Sequence, residues 1–222
     1  MRHELRQLDD AASVARVGAA LLADVISGAL ASSQRCAVAL SGGKTPRAMF
    51  PLLAAQPVEW DRVDVFQVDE RVAPDGDVER NATHIAAAFA ATDVRLHLMG
   101  VNEPDLDAAC ASYAASLPER FDAVHLGIGA DGHTASLVPG DPVLTVTDRL
   151  VAATLPYQDH RRMTLTYPAL SRADVLVWLV AGADKADALG RLIAGDPSIP
   201  AGNVDAPISA VLADAASAAG LT

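Results

Sequence analysis

Cys36-Ala37-Val38-Ala39-Leu40-Ser41-Gly42-Gly43-Lys44-Thr45-Pro46 decides the fold. A short apolar run, Cys36–Leu40, turns on two glycines into a stretch of helical character, the start of a strand–turn–helix unit. Thr45 is suited to cap that helix, and Pro46 to its first turn, where a missing N–H costs nothing. The same alternation continues outward. Further strands are expected at residues 63–68, 95–98, 123–127, 150–155, 162–167 and 175–180. Helices are expected at 46–55, 81–90, 105–117, 185–194 and 208–219, with another at 11–31 before the first strand. Such alternation implies right-handed crossovers and an α/β fold: a largely parallel sheet with helices on both faces. No long linker, low-complexity tract or fixed-period repeat divides the chain, so residues 1–222 read as one domain. In open parallel sheets, ligands bind beyond the carboxyl ends of the strands, and the residues after each strand are the place to look for a site.

The composition narrows the function. The chain has 222 residues, 51% of them apolar, with 17 Lys and Arg against 28 Asp and Glu, a formal charge of −11. That apolar content can meet the entropy of folding, so disorder is not expected. The acidic balance argues against a broad nucleic-acid face, which needs clustered cations to displace counterions; a local basic pocket stays open. Cys36 and Cys110 cannot make a disulfide framework and have no zinc-ligand spacing, which fits a reduced cytoplasm. Residues 11–31 are apolar enough to resemble a membrane segment. At helical spacing, however, Val14, Val17, Leu21, Leu22 and Val25 form an apolar face opposite a stripe of Ser13, Arg16, Asp24 and Ser27. Glu4, Asp9 and Asp10 before it are unlike a basic signal region, so a helix packed on a domain is expected rather than a membrane partner.

Each strand end carries a motif. Gly43-Lys44-Thr45 invites comparison with a nucleotide-binding loop, but that motif needs a glycine where Val38 stands inside the strand. Ser41-Gly42-Gly43 therefore serves either as a tight turn or as an anion cradle at a helix start. After the second strand comes Asp69-Glu70-Arg71, with Asn81 beyond it. It reads as a solvated charge run or as a site in which the Arg71 fork meets phosphate oxygens. Gly127-Ile128-Gly129-Ala130-Asp131-Gly132 formally satisfies a dinucleotide fingerprint, yet Pro139, Gly140 and Pro142 leave no room for the long helix that should follow. What the glycines do allow is a bare loop presenting Asp131 and His133, the latter as a structural imidazole or a general base. Arg162 and Lys185 lie at further strand ends. There is no His-Glu-x-x-His pair and no Gly-x-Ser-x-Gly elbow, so neither a catalytic metal nor a covalent nucleophile is expected and activated water becomes the attractive mechanism.

Taken together, these blocks resemble the 6-phosphogluconolactonase family. The resemblance rests on Ser41-Gly42-Gly43 with Thr45-Pro46, Asp69-Glu70-Arg71 with Asn81, and Gly127-Ile128-Gly129-Ala130-Asp131-Gly132-His133-Thr134-Ala135-Ser136-Leu137. It extends through Arg162-Met163-Thr164-Leu165-Thr166, Pro168-Ala169-Leu170 and Gly182 with Lys185-Ala186. Lys44, Val138 and Ser171 depart from residues usual in that family. The resemblance implies a Rossmann-like fold shared with glucosamine-6-phosphate deaminases and ribose-5-phosphate isomerases. It also implies hydrolysis of 6-phospho-D-glucono-1,5-lactone in the oxidative pentose phosphate pathway, without metal or organic cofactor. His133 then matches the family's base and Asp131 shapes its loop. Ser41, Gly42, Gly43, Lys44, Thr45, Asp69, Arg71, Asn81, Gly129, Gly132, Arg162 and Lys185 are the expected substrate-binding set. The expected partner is a small phosphorylated sugar lactone, and the expected state is a monomer or homodimer. An amino-sugar-phosphate deaminase and a non-catalytic sugar-phosphate sensor are the rival readings; against the first, the run from Thr134 to Pro139 holds no carboxylate.

Overall fold

The computed structural model describes residues 3–221 of the chain. Its elements, in order, are strand β1 (Glu4–Leu8), helix α1 (Ala11–Leu30), β2 (Cys36–Leu40), α2 (Lys44–Ala54), β3 (Val63–Gln67), β4 (Asp69–Arg71), α3 (Asn81–Phe89) and β5 (Arg95–His97). They continue with α4 (Leu106–Ser116), β6 (Phe121–Leu126), β7 (Val151–Ala153), β8 (Arg162–Leu165), α5 (Tyr167–Leu170), β9 (Ala173–Val180), α6 (Ala186–Ile193) and β10 (Ile208–Asp214). Seven strands form one sheet in the order β1-β10-β9-β6-β2-β3-β5, every neighbouring pair parallel.

Both faces of this sheet are covered, and strand alternation shows how. Along β9, Leu176, Trp178 and Val180 point into one core, shared with Cys110 and Tyr113 of α4 and Leu189 and Leu192 of α6. Val177 and Leu179 point into the other, shared with α1, with Phe50 of α2 and with Phe89 of α3. Strands buried on both sides read as nearly continuous apolar runs, which is why β2, β6 and β9 stand out in the sequence. By length and composition α1 could cross a membrane. Here its Val14, Gly18, Leu22 and Ile26 are buried, and Asp10 caps it by accepting a hydrogen bond from the Ser13 N–H at 2.7 Å.

Two expectations are corrected. Residues 208–219, read as a closing helix, contain β10, which lies between β1 and β9. Its Val211 and Ala213 face one core and Leu212 the other, so a continuous Ala-rich run is a doubly buried strand. The strands expected near 150–155 and 162–167 are present as β7 and β8, but outside the parallel sheet. They pair antiparallel in a separate sheet, β4-β8-β7, whose first strand had no expected counterpart. Met163, Leu165, Val151 and Ala152 bind this small sheet to the α4 and α6 core. It places Arg71 and Arg162 opposite each other across the β4–β8 pair.

Candidate active site

A crevice of about 640 Å³ opens at the carboxyl ends of β2, β3, β6, β9 and β10. Ser41, Gly42, Gly43, Lys44 and Thr45 follow β2 along one wall, with Asp69, Arg71 and Asn81 next to them and Gly129 and His133 after β6. Arg162 comes from the small sheet and Lys185 from the turn after β9. Of the expected residues, Asp131 and Gly132 stand outside the lining. Asp131 is placed behind His133, and Gly132 packs its backbone against Ile199 instead of the crevice, so its part is to turn the chain.

Helix α2 begins two residues earlier than expected, at Lys44. Gly43 is its N-cap and makes no side-chain capping bond, so Thr45 lies inside the first turn and is not the cap. The N–H groups at such an uncapped start remain available to an anion in the crevice. Gly42 is required by close approach: a Cβ there would stand 1.8 Å from Asn81 Oδ1. Asn81 in turn donates to the Asp69 carbonyl at 2.9 Å, which ties the β2 turn to β4 and α3.

Asp69 is buried in the crevice wall. Its carboxylate accepts from Ser136 Oγ at 2.7 Å, Asn81 Nδ2 at 3.3 Å and Ser41 Oγ at 3.5 Å. Burial pushes its pKa up, against the Ser136 hydrogen bond and the Arg162 charge. Glu70, beside it, faces the other way. Fully buried, it accepts from the Asn81 and Ala82 N–H groups at the start of α3, each at 2.8 Å, and pairs with Arg80 at 3.1 Å. Glu70 thereby locks β4 to α3 and holds Asp69 and Arg71 in place. The sequence shows Glu70 only as one charge in a run, and Ser136 only as part of a motif.

The cations differ in their company. Arg71 pairs with Glu79 at 3.1 Å and Lys185 with Asp184 at 3.1 Å, both at the crevice edge. Arg162 is 4% exposed and makes no ion pair among the described residues. Its terminal nitrogen donates to the Tyr157 carbonyl at 3.3 Å and Gln158 Oε1 at 3.4 Å, while Nε has no acceptor among the described residues. Burial pushes this guanidinium's pKa down, and the Asp69 charge opposes the shift. Asp214, at the end of β10, accepts from the Gly182 N–H at 3.1 Å and fixes the turn that carries Lys185.

His133 is 23% exposed on the crevice. Its Nδ1 lies 2.6 Å from Asp131 Oδ1, and its own backbone N–H donates to the same oxygen at 3.2 Å. Partial burial pushes the Asp131 carboxyl up, but the His133 charge and the hydrogen bonds from His133 and Tyr157 outweigh it and hold it below its ordinary value. An ionised Asp131 assigns the proton to Nδ1 and leaves Nε2 as the ring's lone-pair nitrogen. Gly129 makes the arrangement possible, because a Cβ at that position would stand 2.0 Å from His133 Nδ1. Tyr157, Gln158, Ser136, Asp184 and Asp214 join the site without having been singled out in the sequence. Among the described residues, no three His, Cys, Asp or Glu side chains are grouped to hold a metal ion.

Residues 9–217 match the model of the family described as glucosamine-6-phosphate isomerases/6-phosphogluconolactonase. A 6-phosphogluconolactonase of Streptomyces coelicolor is 35% identical, the alignment covering 87% of this chain and 82% of the relative. One of Mycobacterium tuberculosis is 36% identical over 81% and 82% of the two chains. Among solved structures, a 6-phosphogluconolactonase of Thermotoga maritima superposes with a TM-score of 0.87 at 26% identity, over 96% of this chain and 100% of that one.

Proposed function

The chain belongs to the glucosamine-6-phosphate isomerase/6-phosphogluconolactonase family, and from that premise we propose that it hydrolyses 6-phospho-D-glucono-1,5-lactone to 6-phosphogluconate, the lactone step of the oxidative pentose phosphate pathway, with His133 as the base. The observation that carries the mechanism is the imidazole itself: Nδ1 is engaged by Asp131 at 2.6 Å, and Nε2 makes no hydrogen bond among the described residues. Nε2 takes a proton from water as the oxygen attacks the lactone carbonyl carbon. The tetrahedral intermediate then expels the ring oxygen, which receives the proton back from the imidazolium, and the new carboxylic acid ionises. A lactone ester is activated enough for this route, and a positioned base contributes roughly 10²–10⁴-fold. Holding water and carbonyl in register adds more.

The phosphate end belongs with the cations. Like charges directly opposite on antiparallel strands destabilise the pair, yet Arg71 and Arg162 occupy opposed positions and both line the crevice. A phosphate dianion between them, reached also by Lys185 and the first N–H groups of α2, offsets that repulsion. An acidic protein thus accommodates an anionic substrate, since the charge that matters lies in the crevice. Both sheets share one core, which supports the reading of a single catalytic domain; its proposed place of action is the cytoplasm, as a monomer or homodimer. The test is a coupled assay fast enough to outrun spontaneous lactone opening. Turnover of the phosphorylated lactone, without ammonia release from glucosamine 6-phosphate, is the expected result. Ammonia release, or phosphate-ligand binding without turnover, would overturn the reading.

A further inference from the structure

We propose that Tyr157 is a positioning residue for the catalytic base, an inference that rests on His133 acting as that base. Tyr157 sits at the tip of the β7–β8 hairpin, bridged to His160 by backbone hydrogen bonds of 2.9 and 3.3 Å. The two residues between them, Gln158 and Asp159, have φ of 49° and 66°. A two-residue turn in this conformation is ordinarily made by Asn-Gly or Asp-Gly, so the tip holds strain that its tertiary contacts must offset. Those contacts converge on the phenol. Its hydroxyl donates to Asp131 Oδ2 at 3.2 Å, and its ring stands edge-to-face with the His133 imidazole at 5.5 Å. The Arg162 guanidinium lies 5.2 Å from its ring centroid.

Asp131 explains why the hydroxyl matters. One carboxylate oxygen, Oδ1, receives both bonds from His133, while Oδ2 receives the bond from Tyr157. The Asp131 side chain is 39% exposed, so packing alone does not fix its rotation. Without the phenol the carboxylate can swing about its last torsion, and the imidazole bonded to it follows. Misplacement of the base on that scale lowers turnover far more than it weakens binding of the remote phosphate. The phenol also takes up part of the carboxylate's negative charge. Its removal leaves more of that charge to stabilise the imidazolium, so the base becomes available only at higher pH. Asp69 and Arg71 of β4, Arg162 of β8, and Asp184 and Lys185 after β9 share the crevice with the imidazole. They stay the same in wild type and variant, and the difference between the two isolates the phenol.

The variant is Tyr157→Phe, which keeps the ring and loses the hydroxyl. Expected are a kcat lower by about tenfold with KM for the lactone within about twofold, and an acid limb of the kcat/KM profile displaced to higher pH. In parallel, the His133 ring resonances, followed by NMR without substrate, are expected to titrate at higher pH in the variant. Unchanged kcat with an unmoved acid limb and titration would overturn the proposal. So would a loss of melting temperature or a rise in KM with the limb unmoved, the pattern of a merely structural tyrosine. Failure of the wild type to hydrolyse the lactone would instead overturn the reading on which this rests, and the substrate-free titration keeps the two failures apart.

Discussion

His125 and His133 belong to one strand and the loop that leaves it, yet the two imidazoles live in opposite conditions. His125 is fully buried in β6. Its Nδ1 accepts the Ser41 N–H at 3.3 Å, its Nε2 has no hydrogen-bond partner among the described residues, and burial pushes its pKa down to about 3. His133 is reached from the crevice and has an ionised carboxylate at 2.6 Å. The first is a neutral acceptor that holds the turn after β2; the second is the base of the mechanism proposed above. An imidazole is made catalytic by a counter-charge and an open face, and mere presence near the site is not enough.

The largest effect that sharpens the contrast is His133→Ala. Loss of the base is expected to lower kcat by roughly 10²–10⁴-fold, measured above spontaneous hydrolysis. Near wild-type turnover would move the base elsewhere in the crevice. Next comes Gly129→Ala, which leaves both histidines in place and disturbs the aim of one. The new Cβ would stand 2.0 Å from His133 Nδ1 and 2.6 Å from Asp131 Oδ1, so the pair must separate. A kcat reduction of about 10–100-fold with little change in KM is expected. Gly127→Ala is the control from the same loop, since its Cβ meets nothing closer than the Leu179 carbonyl oxygen at 3.8 Å. Equal losses in the two variants would mean that the loop backbone, and not the imidazole's aim, had been damaged.

Much of this was legible in the sequence, and the exceptions have causes. Strands β2, β3, β6 and β9 announce themselves because apolar runs bounded by glycine or charge are what a doubly covered parallel sheet requires. Strand β10 was hidden by its alanines, whose small side chains suit a buried strand between two layers as well as a helix. The antiparallel sheet was hidden for another reason: pairing of Asp69–Arg71 with Arg162–Leu165 joins segments far apart in sequence, and no local period encodes it. The same holds within the site. Gly129, Asp131 and His133 lie in one glycine-rich loop and can be read together. Tyr157 and Gln158 reach the site on a hairpin whose turn residues, Gln158 and Asp159, carry none of the usual glycine signal.

The smallest effect, and the one most particular to the buried partner, is on stability against pH. His125 binds a proton in the unfolded chain below about pH 6.5 but resists one in the folded chain until about pH 3. The unfolded state therefore binds more protons in that window. Stability is full above the unfolded value and falls as pH drops towards 3, by up to about 1.4 kcal/mol per pH unit. Replacing His125 with Leu abolishes this dependence. At pH 7.5 a gain and a cost oppose each other: the orphan Nε2–H disappears, but the Ser41 N–H loses its acceptor, so the variant is expected within about 1 kcal/mol of wild type. At pH 5, about 1.5 units below the unfolded value, the variant should be the more stable relative to its neutral-pH difference by about 2 kcal/mol. Urea denaturation at the two pH values measures both numbers. Parallel pH dependence of the two proteins would mean that His125 takes up its proton as readily in the folded chain as in the unfolded one, and burial would then not keep it neutral.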